Sequence, residues 1–228
     1  MTDRDRSDRD DRSDGDSEGG AHAPDPAALA AGAALFNEGH PLAARDVWET
    51  AGQSLDGTDA ERLLRGLAAT AAATYRAADG ADGDADEAAE YAKTAVASLE
   101  GVSDSHGVRL APVREWVDRL ATAPENAAEG QKPRIDVDGE PPRFDGLSLD
   151  AAGVAAPALA RAGEPGDAAT LAAAAEFAAA ERGTGRSRFA ELLFAYLRTP
   201  ETRPQVAARL GDHVAIEERK RRDVDDLF

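Results

Sequence analysis

Cysteine is absent from the 228 residues, which excludes disulfides, thiolate-held zinc and a thiol nucleophile. Aromatic residues are scarce at 5%, so a core must be built mainly from Ala and Leu, and a few bulky side chains decide where elements meet. Basic charge is short as well: 26 Lys and Arg stand against 44 Asp and Glu, for a formal net charge of −18, and only Lys93, Lys132 and Lys220 are lysines. An acidic surface that prefers Arg to Lys suits a cytoplasm at very high salt, where self-repulsion is screened and carboxylates keep their hydration. The acids are spread along the chain, which argues against a nucleic-acid mimic. Long apolar runs are missing too. The Asp/Arg/Ser-rich start has no apolar core, and the window Leu171 to Ala180 is short, mostly Ala and interrupted by Glu176. Neither a secretory signal nor a membrane span is expected, and the expected setting is cytoplasmic.

What remains is helical in pattern. With almost nothing apolar to bury, residues 1–25 are expected to form a disordered, solvated tail. From Pro26 to Asn37 the chain is rich in Ala and Leu, Gly39 sits where a C-terminal cap belongs, and Pro41 fits the first turn of a second helix. In that second helix Ala44, Trp48, Ala51 and Leu55 share one face, and Asp46, Glu49 and Gln53 share another. The next helix, Asp59 to Ala78, is apolar over most of its circumference and should be the buried centre of the first half. Gly66 in its interior costs about 1 kcal/mol against Ala, which points to another helix crossing closely there.

Helices are further expected over Asp84 to Leu99 and Arg109 to Ala121. Residues 126–148 are rich in Pro and Gly and read as a linker or a short hairpin turning at Asp138-Gly139. Four more helices follow: Leu149 to Arg161, Asp167 to Glu181, Ser187 to Arg198 and Pro204 to Arg222. The expected fold is therefore all-α, a compact bundle of paired antiparallel helices with one short hairpin at most. Its divisions are an N-terminal helical domain over 26–125, the linker over 126–148 and a C-terminal subdomain over 149–228.

The run Phe36-Asn37-x-Gly39 with Ala44, Trp48 and Glu49, followed by Gly66-Leu67 and Ala71-Ala72-Ala73, resembles the small helical family called domain of unknown function 309. The likeness covers a core of 35–76, and the Arg188 to Phe228 end resembles the extended versions found in salt-loving archaea. It implies an all-helical fold and no established activity. Where the family shows a His-Glu pair before the Trp, this chain has Arg45-Asp46. Where the family shows Gln and then His in the central helix, it has Ala69 and Tyr75.

Motifs that carry chemistry are few. Asp82, Asp84 and Asp86 alternate as in a calcium loop, but the sixth position is Glu87 instead of Gly and the twelfth is Lys93 instead of Glu, so calcium is rejected. Gly183-Thr184-Gly185 before a helix lacks the spacing and the Lys of a phosphate loop. Arg219-Lys220-Arg221-Arg222 is flanked by acids that cancel its field, which disfavours nucleic acid. Glu38, His40, Asp46 and Glu49 form the densest polar cluster, yet Arg45 stands four residues from Glu49 and can pair with it. His106 and His213 are read as isolated surface residues. No catalytic residue, metal site or cofactor is implied. The expected role is a helical interaction or scaffold protein, working through a protein partner or self-association. The alternative is a small-molecule or divalent-metal site, hydrolytic in one version, around Asp46 and Glu49 with Arg65 and Tyr75.

Overall fold

Helix α1 (Pro26–Asn37) starts because the Asp25 carboxylate accepts the Ala27 N–H and Pro26 presets the first turn. Asp25, placed above in the charged tail, is thus part of the fold. The computed structural model describes residues 23–79, 84–127, 131–181 and 187–225. The tail up to 22, the calcium-like turn at 80–83, the turn at 183–186 and the apolar end at 227–228 lie outside the described residues.

The exit of α1 is a Schellman turn: Gly39 takes φ +96°, its N–H donates to the Phe36 carbonyl and the His40 N–H donates to the Leu35 carbonyl. Helices α2 (Pro41–Gly52), α3 (Asp59–Asp79), α4 (Asp84–Glu100) and α5 (Leu110–Thr122) follow. α2 stops short of the expected Leu55, whose side chain is nevertheless buried. Pro124, beyond the expected helix end at Ala121, opens a further short turn, α6 (Pro124–Ala127). Helices α7 (Leu149–Arg161), α8 (Ala168–Ala180) and α9 (Arg188–Arg198) each begin on a side-chain cap, from Ser148, Asp167 and Ser187. The hydrogen bonds that Asp167 accepts from the Thr170 N–H and hydroxyl hold its carboxyl below the usual carboxylate range. The last helix is α10 (Arg203–Asp225).

The fold is all-α, a bundle of packed helix pairs. Each of α1 to α5 packs on the next, α1 and α2 also pack on α7, and α7 to α10 form the second group. One buried cluster runs from Ala28 in α1 to Val214 in α10, and a smaller one joins α3, α4 and α5 around Trp116 and Leu120. α3 is buried along Leu63, Leu64, Leu67, Ala71 and Ala72. At Gly66, a Cβ would stand 2.4 Å from the Leu99 side chain, so α4 does cross there at close range.

Among the described residues β pairing is limited to isolated bridges. Val137 pairs with Glu140 across Asp138 and Gly139, both at positive φ, which is the expected tight turn. Val137 also bridges to Val108 ahead of α5. The segment is fixed by Asn37: its side-chain oxygen accepts the Ile135 N–H at 2.8 Å and its amide donates to the Ile135 and Pro142 carbonyls at 3.0 and 3.1 Å. Lys132 donates to the Phe36 carbonyl at 2.9 Å, and burial lowers its pKa. Helix ends need outside partners for their last carbonyls, and Lys132 supplies one to α1 at Phe36.

Candidate functional site

α2 and α4 both pack on α3 and leave a groove of about 430 Å³ along it. Its floor is Ala68, Ala69 and Ala72 of α3, which recur at helical spacing on one face. Trp48 and Gly52 of α2 form one wall; Tyr91 and Thr94 of α4 form the other. Charges sit along the rim. Arg45 donates through Nε to Glu49 at 2.6 Å, one helical turn away, and its guanidinium stands 5.6 Å from the centre of the Tyr91 ring. The Glu49 hydrogen bond raises the Arg45 pKa still further. Arg65 pairs with Glu61, whose other oxygen accepts the Gly57 N–H at 2.8 Å.

Of the four residues singled out by sequence, Glu49 and Arg65 line this groove together. Asp46 points away from it and pairs with Arg161 of α7 at 2.6 Å. Tyr75 lies farther along α3, with the Arg76 guanidinium 5.8 Å from its ring. The dense polar cluster around the first turn is dispersed: Glu38 goes to Arg143, His40 faces Glu164, Asp46 goes to Arg161 and Glu49 to Arg45. Among the described residues, no three His, Asp or Glu side chains come together in a way that could hold a metal ion. His213 lies within α10, half-buried, with the Phe189 ring edge-on at 6.2 Å. His106 stays in its loop, 3.6 Å from Asp104.

Sequence reasoning missed Tyr91 and Thr94, because nothing in α4 says which of its faces borders α2. The scarcity of aromatics was the available signal, since Tyr91 is one of only three tyrosines.

A second polar centre lies at the opposite end of α2. The turn after α7 is again a Schellman turn, with Gly163 at φ +102° and the Glu164 N–H donating to the Leu159 carbonyl. The two turns meet, placing His40 Nδ1 3.8 Å from Glu164. The other Glu164 oxygen accepts from buried Arg203 at 2.7 Å. His40 therefore finds a carboxylate already engaged, and burial first, then the Arg203 charge, lower its pKa below 6.5; Glu164 and Glu38 oppose this, and Lys132 adds to it. A lowered histidine pKa means that the native state favours the neutral ring. Its contribution is complete above pH 6.5 and is lost as the pH falls below 6.5 toward the native value. Melting temperatures taken from pH 7.5 down to 5 should fall more steeply for the native chain than for His40→Gln, and parallel curves would refute this.

No family model matches the chain, and comparisons with curated proteins and with solved structures return no match either. Among the described residues, no helix is long and apolar enough to cross a membrane.

Proposed function

We propose that this protein is a non-catalytic helical interaction module, working in a cytoplasm at high salt, whose docking surface is the groove between α2, α3 and α4. One observation supports the reading: four of the five charges along the groove are tied to partners on their own helices, Arg45 to Glu49 and Arg65 to Glu61, around an apolar floor with Tyr91 on one wall. Groups held this way orient a partner; general acid–base work calls for a group free to take up a proton. Kinship with the domain of unknown function 309 is proposed on the runs at Phe36 to Glu49 and Gly66 to Ala73.

The test is affinity capture in molar KCl with the native chain and with Thr94→Trp, which fills the groove from an exposed position. A partner retained by the first and lost by the second supports the module. Equal capture by both folded proteins overturns it.

A small-molecule reading has its own support, because 430 Å³ lies in the range of ligand pockets. Under it, thermal unfolding against common metabolites gives an upward shift that disappears in Glu49→Gln. A ligand at 100 times its dissociation constant adds about 2.7 kcal/mol.

A further inference from the structure

Residues 131–147 run as a strap over the end of α1 and lead into α7. Three apolar side chains, Ile135, Phe144 and Leu147, anchor the strap in the core. The rest of its hold is polar. Asn37 makes three hydrogen bonds to it, Lys132 donates to the Phe36 carbonyl, and Asp136, Arg143 and Asp145 pair with Arg109, Glu38 and Arg198. A segment with few apolar anchors and no helix or ladder through most of its length opens more readily than the helices beneath it.

Three strap residues also set the surroundings of His40. The Phe144 ring stacks on the imidazole, with centroids 6.1 Å apart and planes 29° from parallel. Lys132 adds a cation that disfavours a second one on the ring, and Arg143 engages Glu38, the carboxylate that would favour it. Cover, cation and engaged carboxylate all act against the imidazolium. The other charges that face His40 stay when the strap leaves: Glu164 in the turn after α7, and Arg203 of α10, with which Glu164 is already paired. Molar salt screens the charges, whereas the cover of Phe144 persists in it.

We infer that proton uptake at His40 releases the strap from the end of α1, with Asn37 as the latch that holds it shut. A closed strap favours the neutral ring, so by reciprocity a proton on the ring favours the open strap. Burial is the first cause of the lowered His40 pKa, and opening relieves it. The closed form is therefore fully favoured above pH 6.5, and the open form gains weight as the pH falls below 6.5, by at most about tenfold per pH unit for one proton.

Amide hydrogen exchange followed by NMR in molar KCl tests this, with each rate divided by that of an unstructured peptide at the same pH. The reporters are the N–H groups of Ile135, Val137 and Asp138, which donate to the Asn37 side chain and to the Glu140 and Gly107 carbonyls. Between pH 7.5 and 5.5 their opening should rise together, while the Leu67 amide inside α3 keeps its protection. In His40→Gln the rise should vanish; His40→Asn repeats the measurement if His40→Gln does not fold. Asn37→Ala should speed exchange at Val137 and Asp138 at both pH values. Phe144→Ala should move the His40 titration upward, because it uncovers the ring. A pH-independent opening in the native chain, or a rise that survives in His40→Gln, overturns the inference. So does a rise shared by Leu67, which would mean that the whole bundle loosens. Unchanged exchange in Asn37→Ala or an unmoved titration in Phe144→Ala also counts against it, by removing the latch or the cover on which it stands.

Discussion

Arg203→Met is expected to cost about 3–5 kcal/mol, read as a lower urea midpoint at unchanged slope. Arg203 is 1% exposed and does three things at once. Its Nε donates to the Tyr196 carbonyl at 3.1 Å and its Nη2 reaches the Leu197 carbonyl at 3.5 Å, so it caps the C-terminus of α9 with a positive charge that the helix dipole favours. Its Nη1 binds Glu164 at 2.7 Å and ties α10 to the α7–α8 turn. Methionine keeps most of the volume but leaves two carbonyls and a carboxylate without their donor. Tyr196→Phe is the control. That hydroxyl is buried with no hydrogen-bond partner among the described residues, and burial pushes its pKa up to about 12, so its removal should change stability by less than about 0.5 kcal/mol. A second readout separates charge from packing. With Arg203 gone, Glu164 is free to serve His40, and the His40 titration followed by NMR should move upward. An unmoved titration with a large stability loss would mean that Arg203 acts by filling space.

The helices and their ends were legible because their signals are local. Pro26 opens α1, Gly39 ends it, and Ser148, Asp167 and Ser187 stand as short polar residues before apolar runs; Asp25, read as part of the tail, is the cap of α1 that was missed. Gly66 revealed a close crossing because a glycine inside a helix is costly without one. What could not be read is which faces meet. Asn37 at a helix end looks like a cap, yet it grips Ile135, 98 residues away. Arg203 at a helix start looks like a surface charge, yet it is enclosed. The candidate site divides the same way: Glu49 and Arg65 lie along one groove, while Asp46 turns to Arg161 of α7, a helix that nothing local in the chain places beside it. Periodicity gives the face of one helix and not its neighbour.

Trp48→Ala is expected to cost about 3–5 kcal/mol, since the indole is fully buried between α1 and α2. The partner that makes room for it is Gly32. A Cβ there would lie 2.3 Å from the indole Nε1 and 2.4 Å from Cε2. In an open helix Gly→Ala gains about 1 kcal/mol. Here overpacking should reverse the sign, for a net loss of about 1–3 kcal/mol in Gly32→Ala. Among the described residues the indole N–H has no hydrogen-bond partner, so packing holds the ring in place. A smaller ring should therefore rescue the extra methyl, and Gly32→Ala with Trp48→Phe should be at least about 1 kcal/mol more stable than the sum of the two single losses. Strict additivity would mean that α1 moves aside to admit the methyl.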